Sequence, residues 1–491
     1  MKLKLKRIRL DAGKPIAFIH EKDALKMNIH VSDRIKVSVK ERSELAIVDI
    51  VRDLVEKGEI ALSQDISERL RIKPGGFVDV SISAKPKGSA LMARKIHCEL
   101  YKRDELKKIM KDIVNNALTE AEIAYFVSGV HYCGMNLQET KFLTEAIVET
   151  GTRLRWKSNK IADKHSIGGV AGNRTTPIVV SICAAAGIIM PKTSSRAITT
   201  GAGTADVMEA VAKVDFSVSE LRKIVEKTNA CLAWGGSLGL APADDKLIQI
   251  EKMLNLDPEP QLLASILAKK IAVGSKYVLI DIPYGEGAKV SKKEAGNLKK
   301  KFLALGKALG LKIKVVLTDG RQPIGNGIGP ILEIKDILRV LMRNNPPLDL
   351  EKKSIMLSGI LLEMLGKVKK GKGEKTAYEI LNSGQAYKKF KEIIEAQKGS
   401  IDVSKLREAA FHEVIRARKK GKIVKIKNKG VNYMARILGC PQDKAAGMYL
   451  HKHLNNHVEK GEAILTLYSE SQYKIKEARS YYNENSIIQI D

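Results

Sequence analysis

Cysteines, aromatics and long apolar runs are all scarce in this 491-residue chain, and each shortage excludes something. Cys98, Cys133, Cys183, Cys231 and Cys440 are scattered, odd in number and without a CxxC pair. That pattern argues against a disulfide framework and against a thiolate zinc site. Aromatics make up 5% of the residues, too few for the interleaved stacking platforms of single-strand nucleic-acid binders. The longest apolar stretch, near residues 177–191, is interrupted by Ser181 and is too short to span a bilayer. Residues 1–10 alternate charged and apolar side chains, a strand pattern without the continuous apolar core of a signal peptide. A Walker A loop, GxxxxGK[ST], occurs nowhere. The expectation is a cytoplasmic protein with neither membrane nor nucleic acid among its partners.

Basic residues, by contrast, are abundant. Lys plus Arg number 85 against 56 Asp plus Glu, a formal net charge of +29. Such a balance calls for an anionic partner. The charge is spread along the whole chain, which suits small anionic substrates better than a nucleic-acid groove. The length is that of about three domains.

Residues 1–84 read as a β-rich domain with strand-like runs at 46–51 and 77–82, and 85–89 reads as a linker. From about 89 to 160 the period is helical, with Leu106, Ile109, Ile113 and Leu118 on one stripe, and the helical domain is expected over 85–160 with part of 245–275. Thr119 is placed to cap a helix opening at Glu120, and Gly134-Met135-Asn136 to break it. Residues 161–345 alternate helices with short apolar strands such as 278–282 and 314–318, the pattern of a mostly parallel α/β sheet. Residues 346–420 read as a helical connection. Residues 421–491 read as a C-terminal α+β unit, with a turn at 458–462 before a strand at 463–467.

Two loops in the α/β region carry the chemistry. The first is Asp163-Lys164-His165-Ser166-Ile167-Gly168-Gly169-Val170, just ahead of a helix beginning near Thr176. The second, residues 192–206, holds Thr193, Ser194, Ser195, Thr199, Thr200 and Arg196 before Gly201-Ala202-Gly203-Thr204. Hydroxyl donors, a fixed cation, glycines that admit backbone N–H groups and a following helix N-terminus are what an oxyanion needs. The pair predicts two phosphate sites with chemistry between them. Other motifs are weaker. Gly325-Asn326-Gly327-Ile328-Gly329 lacks GxGxxG spacing and has Pro330 where a helix should open, so it reads as a structural turn. His451, His453 and His457 have no acidic or Cys partner between them and read as surface histidines rather than metal ligands. Asp257, beside Pro258-Glu259-Pro260, reads locally as a helix-leading cap or a loop acid.

The first loop resembles the signature of the thymidine and pyrimidine-nucleoside phosphorylases. The second is similar to their second phosphate loop, and Ala264-Ser265-Ile266-Leu267-Ala268-Lys269-Lys270 resembles their pyrimidine-side helix. Asp319 with Gln322-Pro323-Ile324-Gly325, and residues 458–467, are similar as well. The likeness covers about residues 90–491. There are departures. Ile250 stands where those enzymes carry a base-gripping arginine. The second loop reads Ser-Ser-Arg-Ala-Ile-Thr in place of Ser-Gly-Arg-Gly. One residue is added around 171–173, and a β-rich domain comes first. Together these resemble the archaeal AMP phosphorylase branch, whose substrates carry a 5′-phosphate. The added hydroxyls and Arg196 fit a second dianion.

The resemblance implies an α/β fold: a helical domain plus a mostly parallel α/β domain as in pyrimidine-nucleoside phosphorylases, an extra N-terminal β-rich domain, and a C-terminal α+β unit. It implies reversible phosphorolysis of AMP, and of CMP and UMP, to free base and ribose 1,5-bisphosphate. By resemblance, Lys164, Ser166, Thr176, Ser194 and Thr204 hold phosphate. Gly169, Ser195, Arg196, Ala197, Ile198, Thr199, Thr200, Thr204, Ser265 and Lys289 contact the nucleotide. Asp257 donates a proton to the departing base, and a cleft closes during turnover. The scheme uses no metal and no cofactor, phosphate being a substrate. The N-terminal domain implies a homodimer or larger assembly. The competing expectations are action on unphosphorylated nucleosides, a phosphoribosyltransferase needing pyrophosphate and magnesium, and a basic nucleic-acid-binding protein.

Overall fold

Alternation at the N-terminus folds as its period demands. In the computed structural model, Leu3 and Leu5 are buried and Lys2 and Lys4 exposed along β1 (Lys2–Lys6). With β2 (Ile16–His20), β3 (Arg34–Val39), β4 (Arg42–Val51), β5 (Glu59–Leu62) and β6 (Phe77–Ile82) it closes a barrel in the order β1-β5-β2-β4-β3-β6. Closure leaves no edge strand to template aggregation. Leu3, Ile19, Ile35, Val37, Val48, Ile60 and Val80 fill its interior. The described residues are 1–8, 15–197 and 200–491. They form two compact units, residues 1–151 with 241–265, and residues 152–240 with 266–491.

The first unit joins the barrel to a helical bundle. Arg34 of β3 donates from Nε to the Ala117 carbonyl at 2.8 Å and pairs with Glu122. Glu122 is also the third residue of the helix Glu120–Cys133, whose cap is Thr119, so this capping box ties the helix start to the barrel. Leu106, Ile109 and Ile113 face inward along the helix Arg103–Val114, and Leu118 is buried in the loop that follows it. Gly134 ends one helix and Asn136 caps the next, Leu137–Glu149. Two expectations fail here. The 85–89 stretch is not all linker, because the helix Lys87–Arg94 opens directly after Pro86, and Gly88 packs against Asp112. Cys98 and Cys133 are bonded, with Cα atoms 5.2 Å apart, so cysteine scatter hid one bridge. The partners are 35 residues apart, and tertiary packing alone brings them together.

The second unit is built on parallel strands. β7 (Ala162–Ser166), β8 (Met190–Ser194), β9 (Ala230–Trp234), β10 (Tyr277–Tyr284) and β11 (Lys312–Asp319) form two hydrogen-bonded groups, β11-β10-β7 and β8-β9. The parallel bridge Ile161↔Ile189 joins them. The helix Thr175–Ala185 is buried on every side, which its apolar sequence requires. It packs in one core with residues of the helices Leu348–Met364, Gly373–Asn382 and Gln385–Ala396. Strand Phe411–Arg416 pairs with Ala463–Ser469, ahead of residue 421. The 325–329 glycines form a turn and a two-residue strand, Gly327–Ile328, paired with Gly447–Leu450. The proline reasoning fails, however. The helix Pro330–Leu341 opens at Pro330, because a first-turn proline loses no hydrogen bond. Among the described residues no helix is long and apolar enough to cross a membrane.

The buried pair Lys95–Glu139, 2.8 Å apart, gives a stability test in the first unit. Lys95→Met leaves the Glu139 charge without its counter-ion and should cost about 3–5 kcal/mol. Urea unfolding should show a lower midpoint for that unit. An unchanged midpoint would mean that the pair stabilises nothing.

Candidate active site

Parallel register sets the row of side chains at the carboxyl ends of the strands. Ser166 ends β7 and pairs in register with Asp281 of β10, while Ser194 ends β8 and pairs with Trp234 of β9. The Ile161↔Ile189 bridge sets β7 beside β8. The two predicted loops therefore leave the sheet side by side, where such folds bind ligands.

Beneath them lies a buried charge cluster. Asp163, fully buried, takes Lys270 at 2.8 Å and Lys192 at 3.4 Å. Asp281, also fully buried, takes Lys353 at 2.9 Å and the Thr318 hydroxyl at 2.6 Å. Lys164 is 1% exposed and donates from Nζ to Thr175 Oγ1 at 2.7 Å. Among the described residues no carboxylate forms an ion pair with it. Burial pushes the Lys164 ammonium down to about 7, against the pull of Asp281, with Lys353, Lys192 and Arg174 pushing the same way as burial. Burial and the surrounding lysines hold His165 well below its ordinary range, so its imidazole is neutral. Ser194 Oγ is buried and has no hydrogen-bond partner among the described residues. A buried cation held by a neutral hydroxyl on one loop, and an unused hydroxyl on the other, are suited to a tetrahedral oxyanion.

The first loop then turns through two left-handed glycines, Gly168 and Gly169, with φ near +87° and +88°. A Cβ on Gly169 would meet Lys289 at 2.9 Å, so glycine here keeps Lys289 against the loop. Asn173 Nδ2 reaches Ser166 Oγ at 3.5 Å, and Thr176 is buried in the first turn of Thr175–Ala185.

The second loop folds on itself. A Cβ on Gly203 would sit 2.5 Å from the Ser195 carbonyl oxygen. Asp206 accepts from the N–H groups of Ala197 at 2.7 Å and Gly203 at 2.8 Å. Arg196 is held rather than free. It pairs with Glu209 at 2.7 Å and Asp206 at 3.3 Å, and lies over the Trp234 ring at 4.7 Å. Thr200 Oγ1 donates to the Ala202 carbonyl at 2.7 Å. Ile198 and Thr199, also predicted contacts, lie outside the described residues.

Sequence reasoning missed the braces. Arg174 donates to Thr204 Oγ1 and to the Ala202 carbonyl, both at 2.9 Å, and pairs with buried Glu333. The helix Asn428–Leu438 presents two asparagines one turn apart. Asn428 accepts from the Ala171 N–H of the first loop and Asn432 from the Gly201 N–H of the second, each at 3.2 Å. Lys444 adds a 2.7 Å bond to Glu209. The i, i+4 spacing of Asn428 and Asn432 was a legible signal, but nothing local names their partners.

Asp257 and Ser265 belong to the first unit. Asp257 is exposed between the helices Pro242–Leu254 and Glu259–Val273, and Ser265 donates to Asp244 at 2.8 Å. Of the three histidines, His451 faces Thr466 at 2.8 Å, His453 faces Asn326 at 2.9 Å, and His457 is exposed.

Comparison with known proteins places this geometry. Residues 90–151 match the helical bundle domain of the glycosyl transferase family, 158–387 its a/b domain, and 422–489 the pyrimidine nucleoside phosphorylase C-terminal domain. The chain is 43% identical to the AMP phosphorylase of Pyrococcus furiosus over 97% of this chain and 95% of the relative. It is 41% identical to AMP phosphorylase 1 of Archaeoglobus fulgidus with the same coverage. The AMP phosphorylase of Methanococcus aeolicus is 38% identical over 100% of this chain and 97% of its own. The chain belongs to the AMP phosphorylase family. The likeness to those relatives takes in the N-terminal barrel, which the three domain matches leave out. Anthranilate phosphoribosyltransferase from Thermus thermophilus shares the fold, with a TM-score of 0.54 at 18% identity, over 63% of this chain and 99% of the other.

The lowered Lys164 value gives a binding test with a definite sign. At about pH 8 the side chain is mostly neutral in the protein alone, while inorganic phosphate is already mostly dianionic. Bound phosphate favours the ammonium, so binding should take up a proton. Calorimetry in buffers of different ionisation enthalpy should report an uptake approaching one proton, lost in Lys164→Met. Equal enthalpies in all buffers would remove Lys164 from the phosphate site.

Proposed function

We propose that this protein catalyses the reversible phosphorolysis of AMP, and of CMP and UMP, to the free base and ribose 1,5-bisphosphate. The observation that carries this reading is the buried Lys164, hydrogen-bonded to a neutral hydroxyl and ion-paired to no carboxylate among the described residues, together with the unpartnered Ser194 hydroxyl on the second loop, in a chain of this family. Lys164, Ser166, Thr176, Ser194 and Thr204 hold the attacking phosphate. A phosphate oxygen forms the new bond to C1′ as the glycosidic bond breaks, and the electron pair leaves with the base. Asp257 delivers a proton to the base nitrogen. The proton lost by hydrogen phosphate matches the one the base gains, so the overall reaction balances. Fixed phosphate oxygens also offset positive charge on the ribose as it develops.

Gly169, Ser195 to Thr200, Thr204, Ser265 and Lys289 contact the nucleotide in this reading. With Arg196 engaged by Glu209 and Asp206, its part is to hold the loop that offers hydroxyl and backbone donors to the 5′-phosphate. The reaction needs no cofactor. Closure of a cleft gates turnover, the barrel joins subunits, and the enzyme works in the cytoplasm.

Chromatography of AMP and adenosine reactions, with and without phosphate, tests the substrate. Adenine should appear from AMP when phosphate is present. Release from adenosine at an equal or higher rate would return the chain to nucleoside chemistry. Asp257→Asn should lower kcat by about 10²–10⁴-fold while leaving AMP affinity nearly intact. An unchanged kcat would end its role as the acid. Size-exclusion chromatography of a chain lacking residues 1–84 should show a smaller assembly, and unchanged assembly would contradict the barrel's role.

A further inference from the structure

Thr204 is the residue through which the second loop would donate to phosphate, yet a threonine hydroxyl rotates freely and can donate or accept. The structure restricts it. Arg174 Nη1 lies 2.9 Å from Thr204 Oγ1. A guanidinium has no acceptor, so in this bond Thr204 can only accept, and its own proton must point elsewhere. The same guanidinium donates from Nη2 to the Ala202 carbonyl at 2.9 Å and from Nε to Glu333. Glu333 is 2% exposed and is fixed in turn by the Gly329 N–H at 3.1 Å. Arg174 is itself 8% exposed and sits immediately before the helix whose first residue, Thr175, receives Lys164. One side chain thus links the Lys164 side of the site to the Thr204 side. Its three donor directions are used on three fixed acceptors, a geometry that a lysine's single nitrogen cannot reproduce.

We infer that Arg174 is a positioning residue for phosphate. It orients the Thr204 hydroxyl as a donor to the oxyanion and fixes the spacing between the two loops. This rests on the phosphate assignment of Thr204 within the proposed reaction, and the test is made on phosphate binding without nucleotide.

Calorimetric phosphate titrations of the wild type, Arg174→Lys, Thr204→Val and the double variant form a double-mutant cycle. Arg174→Lys keeps a cation facing Glu333. Each single change should weaken phosphate by about tenfold, the loss of one charge-assisted hydrogen bond. The double variant should be no weaker than the worse single, because both act through one hydroxyl. The pair Arg174→Met with Glu333→Leu leaves no lone buried charge and should give the same coupling with Thr204→Val. Additive losses of about a hundredfold, or wild-type affinity in Arg174→Lys, would overturn the inference. Coupled phosphate binding in a wild type that released no base from AMP would overturn the functional reading and leave the inference standing.

Discussion

A lysine ammonium in a protein interior costs several kcal/mol unless something offsets its charge. Lys164 is such a group, buried on β7 among the parallel strands of the second unit. Its neighbours Lys192, Lys270 and Lys353 are matched to Asp163 and Asp281, whereas Lys164 has the hydroxyl of Thr175. Matching the outer lysines keeps the cluster foldable. Lys164, bonded to a neutral hydroxyl, is left to take up its charge as an anion binds. The cost lies in stability and the benefit in binding, an exchange expected of functional sites.

Precise placement of the donors follows from layers of support. Parallel strands carry Ser166 and Ser194 at their carboxyl ends, and glycines let the first loop turn back over the strand ends. The helix Asn428–Leu438 then holds one loop through Asn428 and the other through Asn432. This explains physically why a C-terminal domain accompanies the α/β domain. Among the described residues it adds no strand to that domain's parallel sheets, but it accepts from loop N–H groups at Ala171 and Gly201. Glu209 ties Arg196 to Lys444 and so extends the same support to the second loop.

Much of this was legible in the sequence because it is local. Apolar period gave β1, β4, β6, β10 and β11, and the Thr119/Glu122 pair gave a helix start. Hydroxyls and glycines clustered near strand ends gave the two loops. What stayed hidden depends on long-range partners. Arg174 meets Thr204 at a separation of 30 residues and Glu333 at 159, and no pattern in the 170–176 segment announces either. Arg196 looked like a free cation because Glu209 and Trp234 lie outside its loop. The Cys98–Cys133 bridge and the barrel's parallel pairings, β1 with β5 and β2 with β4, likewise come from packing. Pro330 shows the opposite error, a local rule applied at the wrong helical position.

The most direct test of the central claim is diffraction from crystals soaked in arsenate, a tetrahedral analogue of phosphate with its own anomalous signal. An arsenic peak within hydrogen-bond reach of Lys164 Nζ, Ser194 Oγ and Thr204 Oγ1 should appear. A peak elsewhere in the second unit, with none beside Lys164, would contradict the account.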